Sequence, residues 1–244
     1  MWNRKTATSL VHNGIELNIA LSYSKRKTMS LYVYRDNRIE LRAPDRCPVS
    51  EIDAFLRSKR DWILSKQAQL QALPEPVTYQ YCDGELHDYL GVGHPLVLHR
   101  GRPLMVEKLR DSICVRLPDP GDPESVSKAL ASWYRKMALI EFPDRLDHCY
   151  RSMQHLGIPM PDLKVRRMKA RWGSCSNSSE ICLNSALVQK PPQIIDYVIT
   201  HELCHLLEFS HNRAFYDLMT RVMPDWKHRE KMLADGPVEE GTPI

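Results

Sequence analysis

Apolar and polar positions alternate over Leu17–Tyr23, over Met29–Val33 and over Ile39–Ala43, the period-two signature of half-buried strands. Asp36-Asn37, between the last two runs, reads as a hairpin turn, and Pro44 and Pro48 end the sheet. The period then lengthens. Ile52, Phe55, Leu56, Trp62 and Ile63 share one helical stripe over about 50–70, opened by Ser50–Asp53, which resembles a capping box. A stiff connector with Pro74 and Pro76 leads to more short strands: Leu86–Leu90, Leu96–His99 and Ile113–Leu117, with Asp83-Gly84 as a turn. Leu117–Pro123 holds three prolines and a glycine in seven residues and is the expected domain boundary, with Asp122 placed to cap and Pro123 to open a helix. That helix should carry Val126, Leu130, Trp133, Met137 and Ile140 inward, be disturbed at Pro143 and stop at Gly157. Leu163–Ser176 and Ile181–Leu187 read as the arms of an antiparallel hairpin, with Gly173–Cys175 as a tight turn. Pro191-Pro192 starts an apolar helix, and two more come after it, one at Arg213–Tyr216 and one capped near Gly236. The pattern predicts an α+β chain: a β-rich region over 1–120 with one helix, then a hairpin-and-helix domain over 121–244. No internal repeat is apparent.

Composition narrows the class without naming a chemistry. The 244 residues are 43% apolar and 26% charged, which excludes a disordered or coiled-coil chain. The net charge of +4 is too mild to indicate nucleic-acid binding by itself. Residues 1–120 hold 18 basic and 14 acidic side chains, and 121–244 hold 16 of each. No run of eighteen apolar residues occurs, and Met-Trp-Asn-Arg-Lys-Thr lacks the core of a secretory signal, so no membrane association is expected. Seven scattered cysteines without a Cys-x-x-Cys fit free thiols in a cytoplasmic protein.

The chemistry enters at His201-Glu-Leu-Cys-His205. Residues four apart on a helix lie one above the other, so both imidazoles face one point, the arrangement of a zinc-binding His-Glu-x-x-His helix. Glu202 is offset from the ligand line and placed to take a proton from water that the metal acidifies. His211, six residues beyond His205, matches the offset of a third ligand after a sharp turn. Glu208 stands where such proteins carry glycine, and by helical spacing it is a rival ligand. Cys204 points away and reads as packing. Upstream, 164–171 gathers five basic residues and no acidic one, a substrate edge strand, a phosphate or nucleic-acid clamp, or a solvated face. Arg171, Arg213, Tyr216 and His228 are candidates for substrate binding or for stabilising an oxyanion. His228 is also a weaker ligand candidate.

Arg171-Trp-Gly-Ser-Cys-Ser176, Ile181-x-Leu-Asn184, Asp196-Tyr-Val198, His201–His205, His211 with Phe215, and Pro224-Asp-Trp226 together resemble the YgjP-like predicted metal-dependent hydrolases, a zincin-type family related to the WLM and SprT-like metallopeptidases. The resemblance is dense over roughly 160–235 and looser upstream. It implies a small zincin core with His201, His205 and His211 holding one Zn2+ (or another divalent ion) and Glu202 as catalytic base.

The leading expectation is a zinc-dependent hydrolase of the metallopeptidase kind acting on peptide or protein. One alternative keeps the metal and hydrolyses a nucleoside triphosphate phosphoanhydride held by 164–171. Another is a SprT-like, DNA-associated protease, and a third is a binding module with a structural zinc. Three histidines leave a coordination position open, which favours catalysis over the last. The sequence leaves the oligomeric state and the task of 1–120 open.

Overall fold

The computed structural model describes residues 5–12, 15–34, 36–72, 78–168, 171–176 and 178–235. The chain divides into two units, Met1–Pro74 and Glu75–Ile244. In the first, β1 (Lys5–His12), β2 (Ile15–Ser24), β3 (Ser30–Val33) and β4 (Ile39–Pro44) form a sheet of order β1-β2-β4-β3, followed by α1 (Val49–Gln71). Ile19, Leu21, Ile39, Leu41 and Ala43 meet Ile52, Leu56 and Ile63 of α1 in one core, as the two periods require. Asn37 makes the β3–β4 turn with φ 63°, a conformation asparagine tolerates. Two local expectations change. Pro48 precedes α1 without any side-chain cap, and Asp53 pairs with Arg57 one turn on instead of capping. Trp62 points outward, 47% exposed, because the inward row runs Ile52, Leu56, Ile63, Leu70.

In the second unit, β5 (Leu86–Tyr89), β6 (Val92–Arg100), β7 (Met105–Leu109) and β8 (Ser112–Leu117) form a sheet of order β5-β6-β8-β7, followed by α2 (Pro123–Met153). This is the arrangement of the first sheet again: first and second strands antiparallel, second and fourth parallel, third and fourth antiparallel, then a helix. The register pairs Ile39 with Ile113, Leu41 with Val115, and Ile52 with Val126, all buried. Over 39–58 and 113–132 only six positions are identical, so the repeat escapes the sequence pattern while the burial pattern keeps it.

The break expected at 117–123 is a turn inside the second unit. Asp122 caps α2 there, its carboxylate accepting from the Glu124 and Ser125 N–H groups. Leu96, Ile113, Val115 and Leu117 of the sheet share one core with Leu130 and Trp133 of α2 and with Ile195 and Leu203 further on, so the sheet cannot part from the helices after it. α2 runs unbroken through Pro143, and Ile140 faces solvent. Its buried residues advance by fours from Leu130 to Leu146, a drift of about 40° per step, so successive turns face different partners. Those partners are β7 and β8, the 185–189 segment, β9 (Asp162–Arg166) and α3 (Pro192–Cys204). The third sheet has order β10-β11-β9, with β10 (Gly173–Cys175) and β11 (Glu180–Asn184). Its hairpin is shorter than expected: β10 and β11 are antiparallel, closed by the Ser179 N–H donating to the Ser176 carbonyl, and β9 lies parallel on the far side of β11. Gly173–Cys175 is a strand, and 185–189 is a 3-10 turn rather than more of β11. α4 (Arg213–Val222) and α5 (Trp226–Asp235) complete the unit. Among the described residues no helix is long and apolar enough to cross a membrane, and all seven cysteines are free. The cap expected at Gly236 lies outside the described residues.

Candidate active site

α3 brings Ile194, Ile195, Val198, Ile199 and Leu203 into the core and turns His201 and His205 to its open side. The helix ends there, and 205–208 turns back through Leu207 and Glu208 N–H bonds to the Cys204 carbonyl. Glu208 does not adopt the left-handed conformation that would demand glycine, so glutamate is tolerated where related motifs use glycine. Asn212 then caps α4 by accepting from the Phe215 N–H at 3.0 Å, which fixes His211 just before the helix.

The three Nε2 atoms converge: His201–His205 3.2 Å, His205–His211 3.1 Å and His201–His211 2.9 Å. His205 Nδ1 donates to the Glu208 carbonyl at 3.0 Å, so its Nε2 presents a lone pair to the cluster. Two nitrogens, each 2.0–2.1 Å from one tetrahedral ion, sit roughly 3.3 Å apart. The cluster therefore fits a single divalent cation, and the His205–Glu208 bond is the outer contact that orients such a ligand. Glu208 serves through its backbone, and its carboxylate is not in the cluster. Phe215, fully buried, floors the site, stacked on the His205 ring at 4.6 Å and edge-on to His201 and His211. Burial and the other two imidazoles hold the His201 ring down to about 3, and burial lowers His211 as well. His201 therefore remains neutral across the physiological range.

Glu202 is 6% exposed beside the cluster. Burial pushes its carboxyl up to about 7, while the Arg171 charge and the Cys175 N–H, which donates to it, pull the other way. β10 can lie this close only because residue 173 is glycine: a Cβ there would sit 2.5 Å from Glu202 Oε1. Asn184 sets the approach. Fully buried, it donates to the Met168 and Arg171 carbonyls at 2.9 and 3.1 Å and accepts from Ala186 at 3.1 Å; its own N–H meets the Trp172 carbonyl at 2.8 Å. Neither role stands out in the sequence, although both residues belong to the motif that carries the resemblance.

Of the four peripheral candidates, Arg171 approaches Glu202 and Tyr216 lies beside His211, with ring centroids 6.4 Å apart. Arg213 projects into solvent beside Asp217, and His228 is exposed on α5 with no described contact to the cluster. The basic segment does not converge. Lys164 pairs with Glu180, and Arg166 donates to Cys182 Sγ at 3.0 Å, both on β9, two strands from β10. Lys169 lies outside the described residues. Cys175 is no nucleophile: burial and the Glu202 charge push its thiol up to about 11. Cys204 is buried as packing, its thiol raised to about 12.

Two solved structures resemble part of the chain. The metallopeptidase zymogen of Pyrococcus abyssi abylysin is 22% identical with a TM-score of 0.34, over 37% of this chain and 90% of that one. The zymogen of Methanocaldococcus jannaschii jannalysin is 19% identical with a TM-score of 0.33, over 38% and 93%. No curated protein matches. Residues 27–235 match the family model of the YgjP-like metallopeptidase domain, a family whose chemistry implies a divalent metal. With that match over most of its length, this chain belongs to the YgjP-like metallopeptidase family.

Proposed function

We propose that the protein is a zinc-dependent peptidase in which His201, His205 and His211 hold the ion and Glu202 is the general base. The observation that carries this reading is the convergence of three Nε2 atoms within 3.2 Å of one another, beside a buried carboxylate whose proton affinity is raised toward neutrality. Zinc, when bound, supplies Lewis acidity and brings the pKa of water down to roughly 7. Glu202 accepts the proton of the attacking water and delivers it to the departing amine. The Cys175 N–H and the Arg171 charge hold the carboxylate in place and favour its ionised form. Gly173 and Cys175 alternate with the residues that bond β11; the Cys175 N–H is taken by Glu202, and the remaining outer main-chain groups of β10 form an edge for an extended peptide. Arg171 and Tyr216 are the groups nearest to where an oxyanion would form.

The separated partners of Lys164 and Arg166 favour a peptide over a triphosphate clamp. Replacing Glu202 by Gln tests the scheme. Purified Glu202→Gln should keep one equivalent of zinc by elemental analysis and lose turnover of peptide libraries by at least roughly a thousandfold, losing both the base and its proton delivery. Undiminished turnover would remove Glu202 from the mechanism.

A further inference from the structure

We propose that the first unit binds single-stranded nucleic acid through the outer face of its sheet and the basic end beside it. Residues 1–74 carry 13 Lys and Arg against 7 Asp and Glu, whereas 75–244 carry 21 against 23. The whole-chain figure of +4 therefore hides a +6 unit joined to a −2 unit. The fold does not require that charge. The second unit builds the same four-stranded sheet and helix on a slightly acidic composition, so the repeat serves as an internal control.

The charges gather in space. Ser24 is in register with Pro44, and the Asp45 N–H donates to the Ser24 carbonyl at 3.1 Å, which sets the 25–27 turn beside 45–46. Lys25, Lys27 and Arg46 are exposed there, and none has an ion-pair partner among the described residues. Next to this end, the sheet turns one face inward to α1 and the other outward. The outward face carries Tyr32, Glu40 and Arg42, in register with the small residues Ala20 and Ser22. The Arg42 guanidinium lies over the Tyr32 ring at 4.8 Å, and Arg38 over Tyr34 at 4.2 Å. At the positions of Tyr32 and Glu40, the second sheet has Glu107 and Cys114. Arg42 is also paired to Glu40, and Arg38 to Asp36. A face of such Arg–Tyr pairs flanked by small side chains suits stacked bases, and unpaired lysines at its edge suit the phosphates that join them. A duplex, whose bases are already stacked, would meet only the charges.

Fluorescence anisotropy with a labelled 20-nucleotide single strand and the full chain tests this proposal. Wild type should bind at 50 mM salt and weaken steeply toward 300 mM. K25E/K27E/R46E should bind at least tenfold more weakly, with a salt slope shallower by about 2, three single-strand phosphate contacts having been lost. Y32A should weaken the single strand severalfold and leave the same sequence as duplex unchanged. Thermal unfolding of each variant, unchanged from wild type, keeps loss of fold apart from loss of binding. No binding by wild type, wild-type affinity in the triple variant, equal affinity for duplex, or equal competition by polyglutamate would each overturn the proposal.

Discussion

Burial holds a proton on Glu202 that an exposed carboxylate would have lost near pH 4.5. The folded state therefore binds more protons than the unfolded chain between pH 4.5 and about 7, and this group makes the metal-stripped protein less stable as pH rises through that interval. The shift corresponds to about 3 kcal/mol. Metal-free Glu202→Gln should accordingly be more stable than metal-free wild type at pH 8 by up to that amount, with the gap closing toward pH 4.5, as urea unfolding at the two pH values will read. Gly173 belongs to the same environment. A Cβ there meets Glu202 at 2.5 Å, so Gly173→Ala must displace the carboxylate or the strand. A misplacement of this size costs on the order of a hundredfold in turnover, and zinc content should stay at one equivalent. His201, Glu202 and His205 are legible from the four-residue spacing of one helix, and His211 from its offset six residues beyond it. Gly173 and Asn184 are not, because their roles depend on contacts between segments that periodicity never compares.

Element by element, legibility tracks how uniform the surroundings of each one are. α1 packs on one sheet, and its stripe reads directly apart from Trp62, which falls outside the inward row. α2 changes partners along its length, its apolar face drifts, and a straight stripe drawn through Ile140 ends on the solvent side. Pro143 sits exposed within α2 and cannot donate to the Leu139 carbonyl, yet the helix continues through it. Pro143→Ala restores that donor, and the looser unfolded chain offsets part of the gain. The expected net stabilisation is about 1–2 kcal/mol, visible as a higher urea midpoint with the same slope. The 163–187 region departs from its pattern for a different reason. Strand character is visible there, but a parallel partner cannot be inferred from alternation within one strand.

For the whole molecule, prolines prove an unreliable sign of division. Leu117–Pro123 carries the strongest turn chemistry in the chain, yet a continuous core spans it, and the units part at Pro74. A fragment beginning at Glu75 should fold cooperatively and take up one equivalent of zinc, whereas one beginning at Gly121 exposes the α2 face and the 185–189 turn that the β5–β8 sheet covers. Calorimetry of the two fragments separates the cases: a sharp transition in the first and none in the second. Within the larger fragment, the β5–β6 turn does more than cover a face. Leu90 and Gly91 donate to the Val188 and Gln189 carbonyls, and a Cβ on Gly91 would lie 2.5 Å from Pro191. The hairpin is a mechanical stop against the first turn of the histidine-bearing helix. A side chain at residue 91 would therefore press on Pro191, the N-cap of the helix that carries His201 and His205.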